Sequence, residues 1–425
     1  MTDTIFALSS GRPPAAISVI RISGPLASVA GARIAGSLPE ARTAAVRGLR
    51  DPLTGELLDE ALVLRFAAPA SSTGEDIVEF QCHGGRAIVG ALLGVLSRTD
   101  GLREARPGEF TRRAFENGRI DLTEAEGLAD LIEAETESQR KAALILAEGG
   151  LRRQIASWQD QLLQLSARAE RAIDYDEEDE SLDPSLLAES EELAAELGKW
   201  LEHPRAERLK DGIAVVVAGP PNAGKSSLVN VIAGEERAIV TDVPGTTRDH
   251  IEVPLSLGGL PVRMIDTAGL RETNDRVEAL GVARAEKLLE LADVLLWLGE
   301  AAEAPQHPRL VQVHAKADLD RAGPVAPGVL LVSSVTGEGL PALLRRIESE
   351  ARAILPTEDS IALNRRQAQH IAEAARALSD AGSARDLLLV AEDLRLARSA
   401  FDRLTGRAGI EEVLDALFSR FCLGK

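Results

Sequence analysis

A chain of 425 residues exceeds what one ordinary hydrophobic core organises, so two or three domains are expected. Its 45% hydrophobic and 27% charged residues fit a soluble globular protein, no apolar run approaches the roughly 18–20 residues of a membrane span, and Met1–Phe6 carries no secretory leader pattern. A formal net charge of −19 argues against a globally basic nucleic-acid binder, 3% aromatics against a base-stacking platform, and two cysteines, Cys82 and Cys422, against a disulfide framework, which points to a reducing cytoplasm.

From the start of the chain, Thr4–Leu8, Ile17–Ile22, Ala61–Phe66 and Ile77–Gln81 read as short strands between turn signals. Ala87–Leu96 has helical apolar spacing, so residues 1–118 read as a small α+β domain. Arg103, Arg106, Arg112, Arg113 and Arg119 concentrate near its end but are interrupted by Glu104, Glu109 and Glu116, a mixture that reads as a solvated helix face. His83 beside Cys82 hints at a metal, yet no second ligand pair follows at zinc spacing.

From Leu122 to about Leu201 the pattern turns helical, with Leu128, Leu131, Ile132, Leu144, Leu151, Ile155, Leu162, Leu165 and Ala169 at spacings of three, four and seven. Ten carboxylates and no Lys or Arg lie between Asp174 and Glu192, a run that reads as a solvated surface with no catalytic part. Then strand-like runs at Ile213–Ala218, Val262–Ile265, Val294–Leu298, Leu310–Val313 and Val329–Val332 alternate with helical stretches, the mark of a parallel α/β sheet. After Pro356 the chain is helical again, through Ala368–Leu378, Leu387–Leu404 and Ile410–Phe421. An α/β unit over 211–355 is therefore expected as an insertion in a helical domain formed by 119–210 and 356–425.

The strand Ile213–Ala218 runs into Gly219-Pro-Pro-Asn-Ala-Gly224-Lys225-Ser226, and Ser227 onward is amphipathic. This is a phosphate-binding loop in its strand–loop–helix setting. Amides from Asn222, Ala223, Gly224 and Ser227 turn toward phosphates at a helix N-terminus, Lys225 reaches the β- and γ-phosphates, and the Ser226 hydroxyl ligates Mg²⁺. Asp266-Thr267-Ala268-Gly269 follows the next strand, with an acid for the magnesium shell and a glycine amide for the γ-phosphate. Gly245-Thr246-Thr247-Arg248-Asp249, between these elements, reads as a switch whose threonine completes the magnesium shell.

For the base, the pattern Asn-Lys-x-Asp is replaced by Ala315-Lys316-Ala317-Asp318. Asp318 accepts both hydrogens that guanine offers and adenine lacks, and Lys316 lies along the ring. Loss of the Asn side chain removes a tie between this loop and the phosphate loop, so weaker binding with guanine preference kept is expected. Ser333-Ser334-Val335 is placed to offer amides to the guanine carbonyl. Leu270 stands where many small GTPases carry a water-orienting glutamine, and Arg248 and Arg271 are the nearby cations. Asn222 is placed to help hold a monovalent cation, and Glu278 to position water through a second water; a lone helical Glu is otherwise an ordinary solvated carboxylate.

Asp3-Thr-Ile, Val19-Ile-Arg-Ile-Ser-Gly24, Glu79-Phe-Gln-Cys-His-Gly-Gly85, Ala105-Arg-Pro-Gly-Glu-Phe110, Asp121-Leu-Thr-Glu-Ala-Glu126, Pro221-Asn-Ala-Gly-Lys-Ser-Ser227, Gly245-Thr-Thr-Arg-Asp249 and the terminal Phe421-Cys-Leu-Gly-Lys425 occur in one order along nearly the whole chain. With these segments the chain resembles the bacterial tRNA-modification GTPase family MnmE, also called TrmE. The resemblance implies three parts: an N-terminal α+β domain (1–118) that binds a tetrahydrofolate and forms a homodimer, an all-α helical domain, and an inserted Ras-like P-loop G domain. It implies GTP hydrolysis stimulated by K⁺, with K⁺ ligands at Asn222, Thr241, Val243 and Thr246, within a nucleotide loop that also includes Asp242, Pro244 and Gly245. Mg²⁺ falls to Ser226 and Thr247, and catalysis to Glu278, Asn222, Lys225 and Thr247. A 5-formyl- or 5,10-methylene-tetrahydrofolate maps to Arg21, Glu79, Arg119 and Lys425, with Arg119 where lysine is common.

The resemblance further implies an FAD-containing partner protein in a heterotetramer or larger assembly. That assembly adds an aminomethyl or carboxymethylaminomethyl group to C5 of the tRNA wobble uridine, with a chemical part for Cys422, although a lone near-terminal cysteine is otherwise an ordinary residue. Two other classes carry similar motifs. A ribosome-assembly switch GTPase usually brings a basic domain, which this acidic chain does not show, and a membrane-surface GTPase would need a basic amphipathic helix.

Overall fold

The structure, a computed structural model, describes residues 3–175, 183–235, 237–238, 251–267, 291–319, 328–357, 360–408, 411–419, 421 and 424. It divides into two units, Met1–Ala129 with Asp402–Lys425, and Asp130–Phe401.

The first unit holds a six-stranded sheet in the order β3-β4-β5-β2-β1-β6. Its strands are β1 (Thr4–Leu8), β2 (Ile17–Ser23), β3 (Ala44–Arg50), β4 (Leu57–Phe66), β5 (Ile77–His83) and β6 (Leu102–Glu104). Helices α1 (Ala27–Ala35) and α2 (Arg86–Ser97) cover one face, where Phe6, Ile20, Ile22, Val78, Phe80, Leu92 and Leu96 form the core. Side chains alternate across a strand. The residues between those core positions, Ala7, Arg21 and Glu79, therefore face the other side, where Ile5, Ala7, Ala105 and Phe110 pack. Beyond the sheet, α3 (Glu109–Glu116) and α4 (Leu122–Glu133) follow, and Leu122 and Ala125 of α4 meet Leu414, Phe418 and Phe421 from the chain's end.

The second unit contains helices α5 (Glu137–Ala147), α6 (Gly150–Tyr175), α7 (Pro184–Glu202) and α8 (Ala206–Asp211), then a seven-stranded sheet. The strands are β7 (Ile213–Ala218), β8 (Arg237–Ala238), β9 (Ile251–Leu257), β10 (Leu260–Asp266), β11 (Val294–Trp297), β12 (Leu310–Ala315) and β13 (Leu330–Val332). Their order is β13-β12-β11-β7-β10-β9-β8. Every residue of β7 is buried, as an unbroken apolar run demands of a central strand. The sequence reading of a parallel sheet needs correction at one edge. β9 is antiparallel to β10 and β8 antiparallel to β9, because the Gly258-Gly259 turn makes β9–β10 a hairpin.

Helices α9 (Lys225–Glu235) and α10 (Leu340–Arg352) belong to this sheet, and α11 (Arg365–Ser383) and α12 (Leu387–Thr405) return to the helical part. There Trp158 is fully buried, stacked on Phe401 at 6.0 Å between centroids and edge-on to Trp200 at 5.3 Å. Its indole N–H donates to Glu196 Oε1 at 2.7 Å, which satisfies the buried donor. Among the described residues no helix is long and apolar enough to cross a membrane.

Candidate nucleotide site

The loop Gly219–Gly224 leaves the C-terminal end of β7, where an open parallel sheet offers its ligand crevice. Asn222 holds φ at 62°, a left-handed value that Asn tolerates better than most side chains, and this turns the loop back on itself. Lys225 at the start of α9 is buried, and its Nζ donates to the carbonyls of Gly219 at 3.0 Å and Pro220 at 2.9 Å. Two carbonyls thus hold an ammonium over the mouth of the loop, beside the positive end of a helix. An anion with phosphate chemistry suits that field.

Parallel pairing of Asp266 with Val217 brings the end of β10 level with the loop. The Ser226 hydroxyl donates to Asp266 Oδ2 at 2.5 Å, although the two are 40 positions apart, and Asp266 is buried. A hydroxyl and a carboxylate converging at one point make a hard oxygen donor set, which fits Mg²⁺. Thr267 donates its hydroxyl to Val217 O at 2.9 Å, so its side chain fixes the strand end.

At the base element Lys316 has φ at 62°, and its Nζ donates to Asn222 O at 2.7 Å. The tie expected to vanish with Ala315 is thus made by the neighbouring lysine. A Cβ built on Gly224 would lie 3.8 Å from the Ala315 methyl, so that small side chain faces the phosphate loop. Ala317 N–H donates to Val332 O at 3.2 Å, which fixes the loop against β13. Ser333 Oγ donates to Asp318 Oδ1 at 2.6 Å and accepts from the amides of Val335 and Thr336. Sequence reasoning had the residue but not this role: Ser333 aims the carboxylate. Its own amide goes to Glu338 O, and Ser334 N–H has no acceptor among the described residues, so of the three proposed amides Ser334 is the one available. Thr241, Asp242, Val243, Pro244, Gly245, Thr246, Thr247, Arg248, Ala268, Gly269, Leu270, Arg271 and Glu278 lie outside the described residues.

In the first unit, Arg21 and Glu79 are direct partners on β2 and β5, and Arg21 Nε donates to Glu79 Oε1 at 2.8 Å. The guanidinium lies 5.7 Å from the centroid of the Phe110 ring. Arg119 is exposed, and no contact among the described residues joins its side chain to that pair. Lys425 and Cys422 lie outside the described residues, but Gly424 does not: its carbonyl accepts from Ser9 Oγ at 2.8 Å, beside the end of β1. Gly424 is thereby held beside the strand that neighbours Arg21's own.

The arginine concentration is a solvated face only in part: Arg106 and Arg119 are exposed, but Arg103 and Arg113 are not part of such a face. Arg113 is buried and bonds Asp3 at 2.9 Å and Glu75 at 3.0 Å, while Arg103 bridges Asp3 and Glu109. The Arg103 hydrogen bond holds Asp3 below its usual value. Burial pushes Glu109 up, but Arg103 and the Arg106 amide outweigh it and the net shift is downward. Cys82 and His83 point to opposite faces of β5. The thiol is buried, and burial pushes it up to about 11; the exposed imidazole sits 2.8 Å from Asp59. They share no ligand position.

The chain matches the family model described as GTP-binding protein TrmE N-terminus over residues 4–119, and that described as MnmE helical domain over residues 122–422. Proteins named tRNA modification GTPase MnmE are similar throughout. That of Novosphingobium aromaticivorans is 50% identical, covering 100% of both chains, and that of Erythrobacter litoralis 51%, again covering 100% of both. That of Rhizorhabdus wittichii is 52% identical over 100% of this chain and 97% of its own. Among solved structures, the G domain of the T. maritima FeoB iron transporter aligns with 33% of this chain at 24% identity and a TM-score of 0.25, too low to bear on the fold.

Proposed function

This chain belongs to the MnmE family, and from that premise we propose that it is a K⁺-stimulated GTPase that modifies tRNA together with a flavin-bearing partner. The product is an aminomethyl or carboxymethylaminomethyl group on C5 of the wobble uridine, with the one-carbon unit taken from a tetrahydrofolate. The observation that carries the reading is the convergence of Ser226 and Asp266 beside the carbonyl-held Lys225. Residues 1–118 form the folate-binding and dimerising part, 119–210 with 356–425 the helical part, and 211–355 the G domain.

Lys225 and the N-terminus of α9 stabilise charge on the β- and γ-phosphates, and they are fixed before substrate arrives. Asp318, oriented by Ser333, selects guanine through its N1 and N2 hydrogens. Ser226, with Thr247, would hold Mg²⁺; Asn222, Thr241, Val243 and Thr246 would hold K⁺. When bound, these ions supply positive charge next to the phosphates, the part an arginine plays in other GTPases. Glu278 orients the attacking water, since Leu270 has no group to do so. In the first unit the Arg21–Glu79 pair supports the folate assignment through a charged, hydrogen-bonding site over an aromatic ring.

Replacing sodium by potassium is expected to raise GTP turnover at least about tenfold. Equal rates in the two salts would remove the role of Asn222. For the tRNA reaction, deletion of the gene followed by nucleoside analysis decides: an intact wobble-uridine modification leaves only a GTPase without this purpose.

A further inference from the structure

Helix α5 begins with a capping box. Thr136 accepts from the Gln139 amide, and Gln139 Oε1 accepts from the Thr136 amide at 2.9 Å. The same turn makes two longer reaches. Ser138 donates from N at 3.1 Å and from Oγ at 2.9 Å to the carbonyl of Gly259. Gln139 Nε2 donates to Leu209 O at 3.0 Å, at the end of α8, four residues before the strand that feeds the phosphate loop.

Gly259 is the tip of the β9–β10 hairpin. Gly258 and Gly259 have φ of 54° and 80°, the two positive values a tight hairpin turn needs. From that tip the ladder is unbroken through to Asp266 paired with Ile251. Asp266 opens one nucleotide element of the sequence, and Ile251 follows the switch segment Gly245–Asp249. A paired hairpin is stiff along its length, so a shift at the nucleotide end appears at the tip roughly 20 Å away. The packing leaves room for such a shift. Two neighbouring pockets that share Ala142 and Leu209 border α5, one of about 290 Å³ that reaches Ser138, Leu260 and Arg352 and one of about 350 Å³ that reaches Glu135, Gln139, Leu146 and Lys210. Close-packed interiors resist displacement, and an element bordered by open pockets resists it less.

We propose that the first turn of α5 is a coupling clamp: it carries the nucleotide state from the β9–β10 hairpin and the entry to β7 into the helical part of the same unit. The inference rests on the nucleotide reading of the phosphate loop. Its test is amide hydrogen exchange of residues 136–147 in the full chain, with Mg²⁺ and either GDP or a non-hydrolysable GTP analogue. Wild type is expected to differ at least about threefold between the two states at these amides. The double variant Ser138→Ala with Gln139→Glu removes both side-chain ties but keeps the capping acceptor, so α5 stays capped. It is expected to lose the difference while GTP turnover stays within about twofold of wild type. Ser138→Thr, which keeps the hydroxyl, is expected to retain the difference. Analogue binding without any change at α5, or a difference that survives in the double variant, overturns the clamp alone. Failure of the analogue to bind, read separately by a fluorescent nucleotide, overturns the clamp and the nucleotide site together.

Discussion

The phosphate loop and the Arg21–Glu79 site are both built around a cation, yet one is written in a contiguous stretch and the other is not. In the loop, backbone does the work. Gly219, Pro220, Asn222 and Lys225 shape one another within seven positions, and two carbonyls hold the ammonium. Arg21 and Glu79 lie 58 positions apart and meet only because β2 and β5 pair in one register. A one-residue slip would send Arg21 into the core face of the sheet. Sites made from local backbone geometry announce themselves in sequence; sites made by strand register do not.

The comparison is most easily broken at Lys225. Lys225→Ala removes the charge that the loop is folded around and should lower GTP turnover by roughly 100-fold or more. Unchanged tryptophan fluorescence would show the unit intact, since Trp158, Trp200 and Trp297 all lie in it. A loss under tenfold would mean the loop's backbone alone suffices. Asp318→Asn should be milder. It exchanges an acceptor pair for a mixed donor and acceptor, and preference for GTP over other nucleotides should fall roughly 10- to 100-fold. Competition binding measures this, and unchanged selectivity would sink the role of the Ser333–Asp318 pair.

How far the sequence could be read follows the same line. Ile213–Ala218 was legible because an unbroken apolar run has one place in such a sheet, and the structure has the same bounds. Asp266 was legible as an acid at a strand end. That its carboxylate reaches Ser226 depends on the β10–β7 register, which no single segment carries. The hairpin strand β9 went unread, although Gly258-Gly259 between Leu257 and Leu260 is a hairpin signal that could have found it. β3 was missed for a different reason: Ala44–Arg50 mixes charged and small residues on an edge that needs little apolar surface. Arg103 and Arg113 were misread as solvated because composition counts charges but not their partners. Arg113 is buried only because Asp3 and Glu75 arrive from elsewhere. Arg21 was found by family resemblance alone.

The smallest expected effect sharpens the difference between the units, because the first holds an ion network around the buried Arg113. Asp3 and Glu109 both have folded values below their ordinary ones. The sign follows: a depressed carboxylate stabilises the fold above its unfolded value and loses that contribution as pH falls through the folded one. Opening of the first unit should therefore become easier on acidification from about pH 6 to about pH 3.5. Cys82 reports it, since its thiol is buried in that unit's core and stays neutral. In a Cys422→Ser chain, labelling by a pyridyl disulfide, which reacts in acid, should speed up by about tenfold or less over that range. Glu109→Gln has no charge to lose there and should flatten the dependence; an identical slope in both chains would mean that the Arg103–Glu109 pair contributes nothing to acid stability.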